Sequence, residues 1–363
     1  MVSVRAGCRR LPDMKTSPVR SKKPGLLTAI LAALLVSAAV AVLVSANSGS
    51  PTARTPGLSA PTGGSPLPAG TSSADGQPVV PGTGQFYVGT DAESGRVAQF
   101  DTEVGIAQPA VLGGYTTLDG DLSGLLQHAA AYQGTAPMVS WGLDFTKDFA
   151  DGSMDAYLKQ QAEEVIDYGK PVFLRPDWEM DGNWYANWSP PAVSPSRYIA
   201  DWRYLVKLFR ADGVTNAAFV WCANVGEPVG EPASAWYPGD SYVDWIGADA
   251  YPRQDSSVDA FTEADGLDQL AAFAKQHGKP MMLAEWGVTS PDPDNAWLFD
   301  LVFQWAAEYP ETVKALVYFD YVGTKGDHLL VDHPNGAAEF KYLIQSHGKV
   351  LTTVSAAPVL RGG

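Results

Sequence analysis

Two glutamates, Glu179 and Glu285, each come directly after an apolar run of the chain. Glu179 follows the run that begins at Val172, and Glu285 follows the run that begins at Met281. A carboxylate beside a buried strand is costly to desolvate, so it needs a hydrogen-bonding or ionic reason for its position. If both runs are strands of one parallel barrel, their carboxyl ends meet at the same mouth and the two glutamates face each other.

Such a pair of carboxyl groups fits the hydrolysis of a glycosidic bond. One group, protonated, assists the leaving oxygen, and in retaining enzymes the other attacks the anomeric carbon from about 5–5.5 Å away. Aromatic residues near the predicted strand ends favour sugar, because the flat apolar faces of sugars stack on aromatic rings. These residues are Trp141, Trp178, Trp184, Tyr185, Trp188, Trp221, Trp236, Tyr251 and Trp286, whereas Trp202, Trp245 and Trp305 are expected to pack in the core.

Metal and serine chemistry are disfavoured. The five histidines show no ligand spacing, and the chain lacks the G-x-S-x-G turn of a serine hydrolase. Asp327, Asp332 and His333 could hold a structural ion, but a solvated polar loop is the simpler interpretation. We expect neither a catalytic metal nor a cofactor.

The elements that must position the two glutamates follow from the apolar pattern. Continuous apolar runs that alternate with amphipathic helical stretches indicate a parallel sheet covered on both faces. Eight such units over roughly 260 residues predict one α/β domain, a (β/α)8 TIM barrel. A doubly wound open sheet is the alternative, but no Gly-rich phosphate loop follows the first run. The runs are 86–90, 110–115, 137–143, 171–175, 217–223, 243–251, 280–286 and 315–320, and the clearest helical stretches are 154–168, 195–211, 267–277 and 297–309.

The N-terminal part differs in composition from the rest. Residues 1–25 form a basic region and residues 26–46 an uncharged apolar segment long enough to span a bilayer. This segment is either a signal peptide cleaved after Ala46 or an uncleaved anchor. Residues 47–84 are rich in Pro, Gly, Ser and Thr and predict a disordered linker. We expect the barrel at 85–350, a tail at 351–363, and an extracellular or cell-surface location, attached to the membrane through residues 26–46 if these are not cleaved.

The charge distribution narrows the partners. The chain carries a net charge of −15, and residues 1–46 hold seven basic residues against one acidic residue. The remaining residues therefore hold 18 basic and 39 acidic side chains, a balance of −21. A body this acidic repels nucleic acid and polyanionic sugars, so we expect a neutral polysaccharide substrate. Cys8 lies in the basic region and Cys222 in an apolar run, so no disulfide is expected, and we expect a monomer.

The segment RPDWEMDGNWY (175–185) resembles the R-P-x-H-E-M-N-G-x-W-Y signature of glycoside hydrolase family 26, a clan A family best known for endo-β-1,4-mannanases. The resemblance extends from about Gln85 to Gly348. Further similar motifs lie, in order, at 151–153, 213–216, 237–240, 243–247 and 284–287.

This resemblance implies a role for each matching residue. Glu179 corresponds to the general acid/base of the family and Glu285 to its nucleophile. Trp184 corresponds to an aromatic residue that lines the sugar site. Tyr251 corresponds to a tyrosine that hydrogen-bonds the nucleophile, and Arg175 to an arginine below it, although a plain ion pair in the barrel core is the alternative for Arg175.

The chain also departs from the family pattern. Trp178 stands where the family has a histidine at the site of bond cleavage, and Asp181 stands where it has an asparagine. Strand eight ends in Tyr318-Phe319-Asp320, without the tryptophan common in the clan. The resemblance implies an endo-acting, retaining β-glycosidase, with β-1,4-mannan as the first expectation and β-1,3-xylan or mixed-linkage β-glucan as further family substrates. A non-catalytic glycan-binding barrel and an envelope transglycosylase are the alternatives.

Overall fold

The computed structural model describes residues 76–93, 95–226, 229–252, 259–288, 296–323 and 326–357. Eight parallel strands form a closed barrel, because each strand pairs with the next along the chain and β1 also pairs with β8. This arrangement confirms the predicted (β/α)8 barrel. The strands are β1 (Phe86–Ala92), β2 (Val111–Tyr115), β3 (Ala136–Trp141), β4 (Val172–Pro176), β5 (Ala217–Asn224), β6 (Trp245–Ala250), β7 (Met281–Trp286) and β8 (Val313–Asp320).

Helices cover the outside of this barrel. They are α1 (Val97–Val104), α2 (Ser123–Ala130), α3 (Asp155–Tyr168), α4 (Pro195–Ala211), α5 (Asp259–Thr262), α6 (Leu267–Gln276), α7 (Ala296–Glu308) and α8 (Pro334–His347). In the described residues between β5 and β6, two 3-10 turns, Ala233–Trp236 and Asp240–Tyr242, take the place of a helix. Two further 3-10 turns span Phe149–Asp151 and Leu330–Asp332, and short strands lie at β9 (Val322–Gly323), β10 (Gly326–Asp327) and β11 (Val350–Leu351).

Helix α4 shows how the sequence builds this layer. The Ser194 hydroxyl accepts a hydrogen bond from the backbone N–H of Arg197, and Pro195 occupies the first turn, where it gives up no helical hydrogen bond. Tyr198, Trp202 and Leu205 then recur at helical spacing and are all buried against the barrel. Burial of each such side chain contributes roughly 1.5–3 kcal/mol.

Strand alternation decides which side chains enter the barrel. Ser140, Arg175, Cys222, Asp249 and Glu285 contact one another across the interior, directly or through Arg175. Successive side chains of a strand point to opposite faces. The residues next to these five therefore point outward, toward the helices.

The ordered domain is longer at both ends than the sequence predicts. The composition predicts a linker that extends to residue 84. In the structure, Gln77 Nε2 donates to the carbonyl of Ala217 at 2.7 Å, and Val79 N donates to the carbonyl of Ser355 at 2.9 Å. Pro78 and Ala356 form an antiparallel bridge, within the predicted tail. A Pro- and Gly-rich segment cannot build a core of its own, yet its backbone can pair with a surface that another segment provides.

The predicted basic region and apolar segment, residues 1–46, lie outside the described residues, as do linker residues 47–75. Among the helices that are described, none combines the length and the apolar character needed to cross a membrane.

Candidate active site

Glu179 lies in the loop that leaves β4 at the barrel mouth. Its backbone N–H donates to the carbonyl of Cys222 at 2.9 Å, so the loop stays attached to β5. Asp177 and Glu179 adopt positive φ angles of 45° and 51°. Residues other than glycine rarely occupy this region, and such strain is concentrated at functional sites. The loop therefore holds Glu179 in an orientation that an ordinary strand extension would not give.

The surroundings of Glu179 favour its protonated form. The side chain is 9% exposed, and burial raises its pKa to about 7, with a smaller contribution from the nearby charge of Glu285. Trp184 Nε1 donates to Glu179 Oε2 at 2.7 Å, which opposes part of this shift. Trp184 itself is 38% exposed, so one part of its ring fixes the acid while another part faces solvent.

Glu285 ends β7 on the other side of the mouth, with each carboxylate oxygen held by a different donor. Arg175 Nη2 donates to Oε1, and the Tyr251 hydroxyl donates to Oε2 at 2.6 Å. The side chain is buried except for a small exposed fraction at the mouth. This geometry orients a carboxylate whose charge is balanced by a neighbouring cation.

Arg175 connects the nucleophile candidate to the barrel interior. Its Nη1 lies 2.7 and 2.8 Å from the two carboxylate oxygens of Asp249, and its Nη2 lies 2.7 Å from Ser140 Oγ. Burial alone lowers the pKa of the guanidinium, but the charges of Asp249 and Glu285 outweigh it and the pKa rises above its ordinary value. Arg175 therefore remains a cation and is shared by two carboxylates.

Asp91, at the end of β1, is a member of this cluster that the sequence analysis missed. It is fully buried, and neither of its carboxyl oxygens has a hydrogen-bond partner among the described residues. Burial, and then the charge of Glu285, raise its pKa well above the ordinary value. The rule that identified Glu285, a carboxylate at the carboxyl end of a predicted strand, applies equally to Asp91. Ser140 and Asp249 were missed too, although each lies at an inward-facing position.

Trp178 forms part of the wall of the mouth. Its ring lies 5.4 Å from the ring of Tyr115 and 5.2 Å from those of Tyr185 and Trp188. The guanidinium carbon of Arg175 lies 5.3 Å from the ring centroid of Trp178, a cation–π arrangement. Because Arg175 also binds Glu285, the indole of Trp178 and the carboxylate of Glu285 contact the same guanidinium.

Trp141, Trp221 and Trp286 do not lie at the mouth, which corrects their predicted role in sugar binding. Each is next to an inward-facing residue along its strand (Ser140, Cys222 and Glu285) and therefore points to the helices. All three are fully buried. Trp141 packs on Phe209 of α4, Trp221 on Phe273 of α6, and Trp286 on Phe299 of α7.

Within the described ranges, His, Cys, Asp and Glu side chains form no group of three or more that could hold a metal ion. Asp327 Oδ1 instead accepts a hydrogen bond from the backbone N–H of Leu329 at 3.0 Å.

The chain is similar to known proteins in both sequence and fold. Residues 146–327, half of the chain, match the family description "Glycosyl hydrolase family 26". Endoglucanase H of Acetivibrio thermocellus is 29% identical over 210 residues, which cover 55% of this chain and 23% of the relative. A "Beta-1,3-xylanase TXYA" from Vibrio sp. is 27% identical over 158 residues, 43% of this chain and 31% of the relative. The chain thus spans less than a third of the length of these two relatives.

Among solved structures, that of a modular endo-β-1,4-mannanase from Cellulomonas fimi is similar. It superposes with a TM-score of 0.58 at 20% sequence identity, over 76% of each chain. At this identity the likeness concerns the fold. The family match spans both Glu179 and Glu285, the two carboxylates that the barrel brings to one mouth. This chain belongs to glycosyl hydrolase family 26.

Proposed function

We propose that this protein is a retaining glycoside hydrolase that cuts a neutral β-linked polysaccharide within the chain. The observation that carries the proposal is the contrast between two carboxyl groups at one mouth. Glu285 is oriented by a cation and a tyrosine, whereas Glu179 is buried with a pKa of about 7. A general acid and a nucleophile require two titratable groups whose environments push their pKa values apart.

In the first step, Glu285 attacks the anomeric carbon and Glu179 donates a proton to the leaving oxygen. A pKa near 7 leaves a large share of Glu179 protonated at neutral pH, so the acid is available. The bond from the anomeric carbon to the leaving oxygen breaks as the ester to Glu285 forms.

In the second step, the same residues reverse their roles. Once Glu285 is an ester it is uncharged, and the negative charge that raises the pKa of Glu179 is gone. The pKa of Glu179 then falls, so the carboxylate that gave its proton to the leaving oxygen stays ionised and accepts a proton from the incoming water. The water attacks the anomeric carbon and releases Glu285 as a carboxylate. The sugar product then has the same anomeric configuration as the substrate.

The substrate class follows from charge and aromatic content. The acidic body disfavours anionic glycans, and the half-buried tyrosines Tyr115 and Tyr185 pack on Trp178 at the mouth. We propose β-1,4-mannan first, with β-1,3-xylan and β-glucan as the alternatives. The named relatives and the similar solved structure are associated with these different glycans, so substrate choice within the fold varies.

We further propose that the enzyme acts outside the cytoplasm and as a monomer. The apolar segment at residues 26–46, preceded by basic residues, supports export. The two carboxylates and the donors that orient them come from one chain, which supports a site formed within a single subunit.

Reducing-sugar release from mannan, β-1,3-xylan and lichenan tests the activity, with Glu285→Ala as the inactive control. Proton NMR of the first product reports the anomeric configuration. We expect chain cleavage with retention. Binding without release would support a glycan-binding barrel, and products longer than the oligosaccharide supplied would support a transglycosylase. Inversion at the anomeric carbon would contradict the role given to Glu285.

A further inference from the structure

Asp181 lies two residues after Glu179 in the loop that leaves β4, where the family pattern has an asparagine. It is 1% exposed, and its Oδ1 accepts a hydrogen bond from the backbone N–H of Asn224, at the end of β5, at 3.0 Å. Its Oδ2 is buried and has no hydrogen-bond partner in the part of the chain that the structure describes. An asparagine side chain has the same acceptor oxygen but no charge, so the departure from the family pattern adds a titratable group.

The loop that carries Glu179 is attached to the barrel on both sides. Asp177 Oδ1 accepts a hydrogen bond from the backbone N–H of Leu143 at 2.6 Å, just past β3, and Asp181 holds the end of β5. The carbonyl of Asp181 also accepts a hydrogen bond from the backbone N–H of Val229 at 2.9 Å. Since Asp177 and Glu179 have left-handed backbone conformations, contacts on either side are needed to keep the loop in this shape.

The charge of Asp181 acts on Glu179. Burial raises the pKa of Glu179 first, and the charges of Glu285 and Asp181 raise it further. The hydrogen bond from Trp184 and the Arg175 cation act in the opposite direction. The other titratable groups whose pKa the charge of Glu179 raises are Tyr185 and Asp249.

Asp181 itself titrates in the same pH range as Glu179. Burial raises its pKa to about 7, against the hydrogen bond at its Oδ1, and the charge of Asp265 adds to the rise. Glu263, in the same segment between α5 and α6, has its Oε1 3.8 Å from the position that a Cβ at Gly226 would occupy. Asp181 is therefore neutral at acidic pH and gains its charge as the pH rises past neutrality. An added negative charge then disfavours ionisation of the neighbouring carboxyl group.

We infer that Asp181 is a positioning residue for the acid, which fixes the loop of Glu179 through its hydrogen bond to β5 and, through its charge, keeps Glu179 protonated at higher pH. The catalytic consequence rests on the proposed hydrolase function. Because Asp181 is buried, it acts through Glu179 and not on the sugar. The two contributions are separable, since the hydrogen bond needs only an acceptor oxygen whereas the charge needs ionisation.

Asp181→Asn removes the charge and keeps the acceptor oxygen. Without that charge the pKa of Glu179 is lower, so less of the acid is protonated at alkaline pH. On an oligosaccharide with a poor leaving group, we expect the ratio of the variant's kcat/KM to that of the wild type to fall by about three-fold from mildly acidic to alkaline pH. A ratio that stays constant with pH overturns the role of the charge.

Asp177→Asn is the matched control for this measurement. It changes a buried aspartate of the same loop that also accepts a backbone hydrogen bond. The ratio of its kcat/KM to that of the wild type should not vary with pH. The charges that raise the pKa of Asp177, after burial, are those of Asp119, Asp144 and Asp201.

Asp181→Ala removes the hydrogen bond as well as the charge. At acidic pH, where the Asp181 charge is absent, we expect its kcat on the poor substrate to be about ten-fold lower than that of Asp181→Asn, because the acid is misplaced. Activated aryl glycosides, which need little acid assistance, should be affected much less. Equal kcat in the two variants overturns the role of the hydrogen bond. If Asp181→Ala does not fold, Asp181→Asn still decides the role of the charge.

Direct titration separates this inference from the hydrolase proposal. Carbon NMR of protein labelled at the glutamate carboxyl carbons follows the ionisation of Glu179, and Glu179→Gln assigns its signal. We expect the midpoint of the Glu179 titration to lie at lower pH in Asp181→Asn than in the wild type and in Asp177→Asn. This result supports the inference even if the wild type cleaves no polysaccharide tested. An unchanged midpoint in Asp181→Asn overturns it whether or not the wild type is active.

Discussion

At the scale of single residues, Glu179 shows how burial raises the pKa of a carboxyl group, as the proposed role of acid requires. Its pKa is raised to about 7, so its protonated fraction falls as the pH rises through that value. For substrates with poor leaving groups, we expect kcat/KM to decline on the alkaline side with an apparent pKa near 7. Activated aryl glycosides need little acid assistance, so their glycosylation step should lack this decline. The same alkaline limb on both substrate types would contradict the assignment of Glu179 as the acid.

Asp91 is also a buried carboxyl group, but neither of its oxygens has a hydrogen-bond partner in the part of the chain that the structure describes. Its pKa is raised in the folded state, so above pH about 4 the unfolded chain releases a proton that the folded chain retains. Stability from this group is then fully present below the unfolded pKa and is lost as pH rises toward the folded pKa. The expected loss is about 1.4 kcal/mol per pH unit.

The variant Asp91→Asn has a similar shape and no titrating proton. We expect the free energy of unfolding of Asp91→Asn to increase relative to that of the wild type as the pH rises from 4 to 7. Denaturant titrations of both proteins at several pH values measure this difference. Parallel pH dependence of the two proteins would show that Asp91 is ionised and partnered in the folded state.

Trp178 packs on the guanidinium of Arg175, which also binds Glu285. An indole offers one hydrogen-bond donor and no acceptor, whereas an imidazole can accept at one nitrogen. Sites that read a hydroxyl discriminate strongly when its partner is lost. We expect Trp178→His to raise kcat/KM on mannan relative to β-glucan and xylan, measured by reducing-sugar release on all three. Identical selectivity in the two enzymes would place Trp178 outside substrate recognition.

At the scale of elements, the mouth depends on close contact between β1 and β2. An added Cβ at Gly113 would lie 1.5 Å from Asp91 Oδ1, so any side chain there displaces the buried carboxyl group. Overpacking of this kind costs about 1–3 kcal/mol. We expect Gly113→Ala to lose stability by that amount in denaturant unfolding.

Gly124→Ala is the matched control for Gly113→Ala. Gly124 lies in α2 with open space around its Cβ, and alanine in a helix is favoured over glycine by roughly 0.5–1 kcal/mol. We therefore expect a small gain of stability. If both alanine variants change stability equally, the contact between Gly113 and Asp91 is not what makes glycine necessary.

At the scale of the whole molecule, net charge governs which glycans approach. Residues 47–363 carry a balance of −21, so a negatively substituted glycan meets a repulsive field before it meets the site. We expect a carboxymethylated glycan to have a higher KM than the neutral polymer with the same backbone. Added salt should narrow the difference, because it screens exposed charges within about 10 Å at 0.1 M. A difference in KM that salt does not change would point to local contacts at the barrel mouth instead.

The sequence by itself determined the barrel and the two glutamates of its mouth. Apolar runs separated by helical stretches indicate a parallel sheet, eight such units favour its closure into a barrel, and the carboxyl ends of such strands share one face. The order of the motifs around Glu179 and Glu285 was enough to indicate the family, and the match over residues 146–327 agrees with it.

Only the tertiary structure decided which side chains of each strand face inward. The strands of a parallel barrel are buried on both sides, so hydrophobicity does not distinguish the interior from the helix-facing surface. Trp141, Trp221 and Trp286 were therefore assigned to the sugar site although they pack against helices, while Asp91 was overlooked although it lies beside the nucleophile candidate. The linker boundary failed for a related reason. Residues 76–84 contain no apolar pattern, and their position is set by hydrogen bonds to residues remote in the sequence, from the Gln77 side chain to the carbonyl of Ala217 and from the backbone of Val79 to that of Ser355.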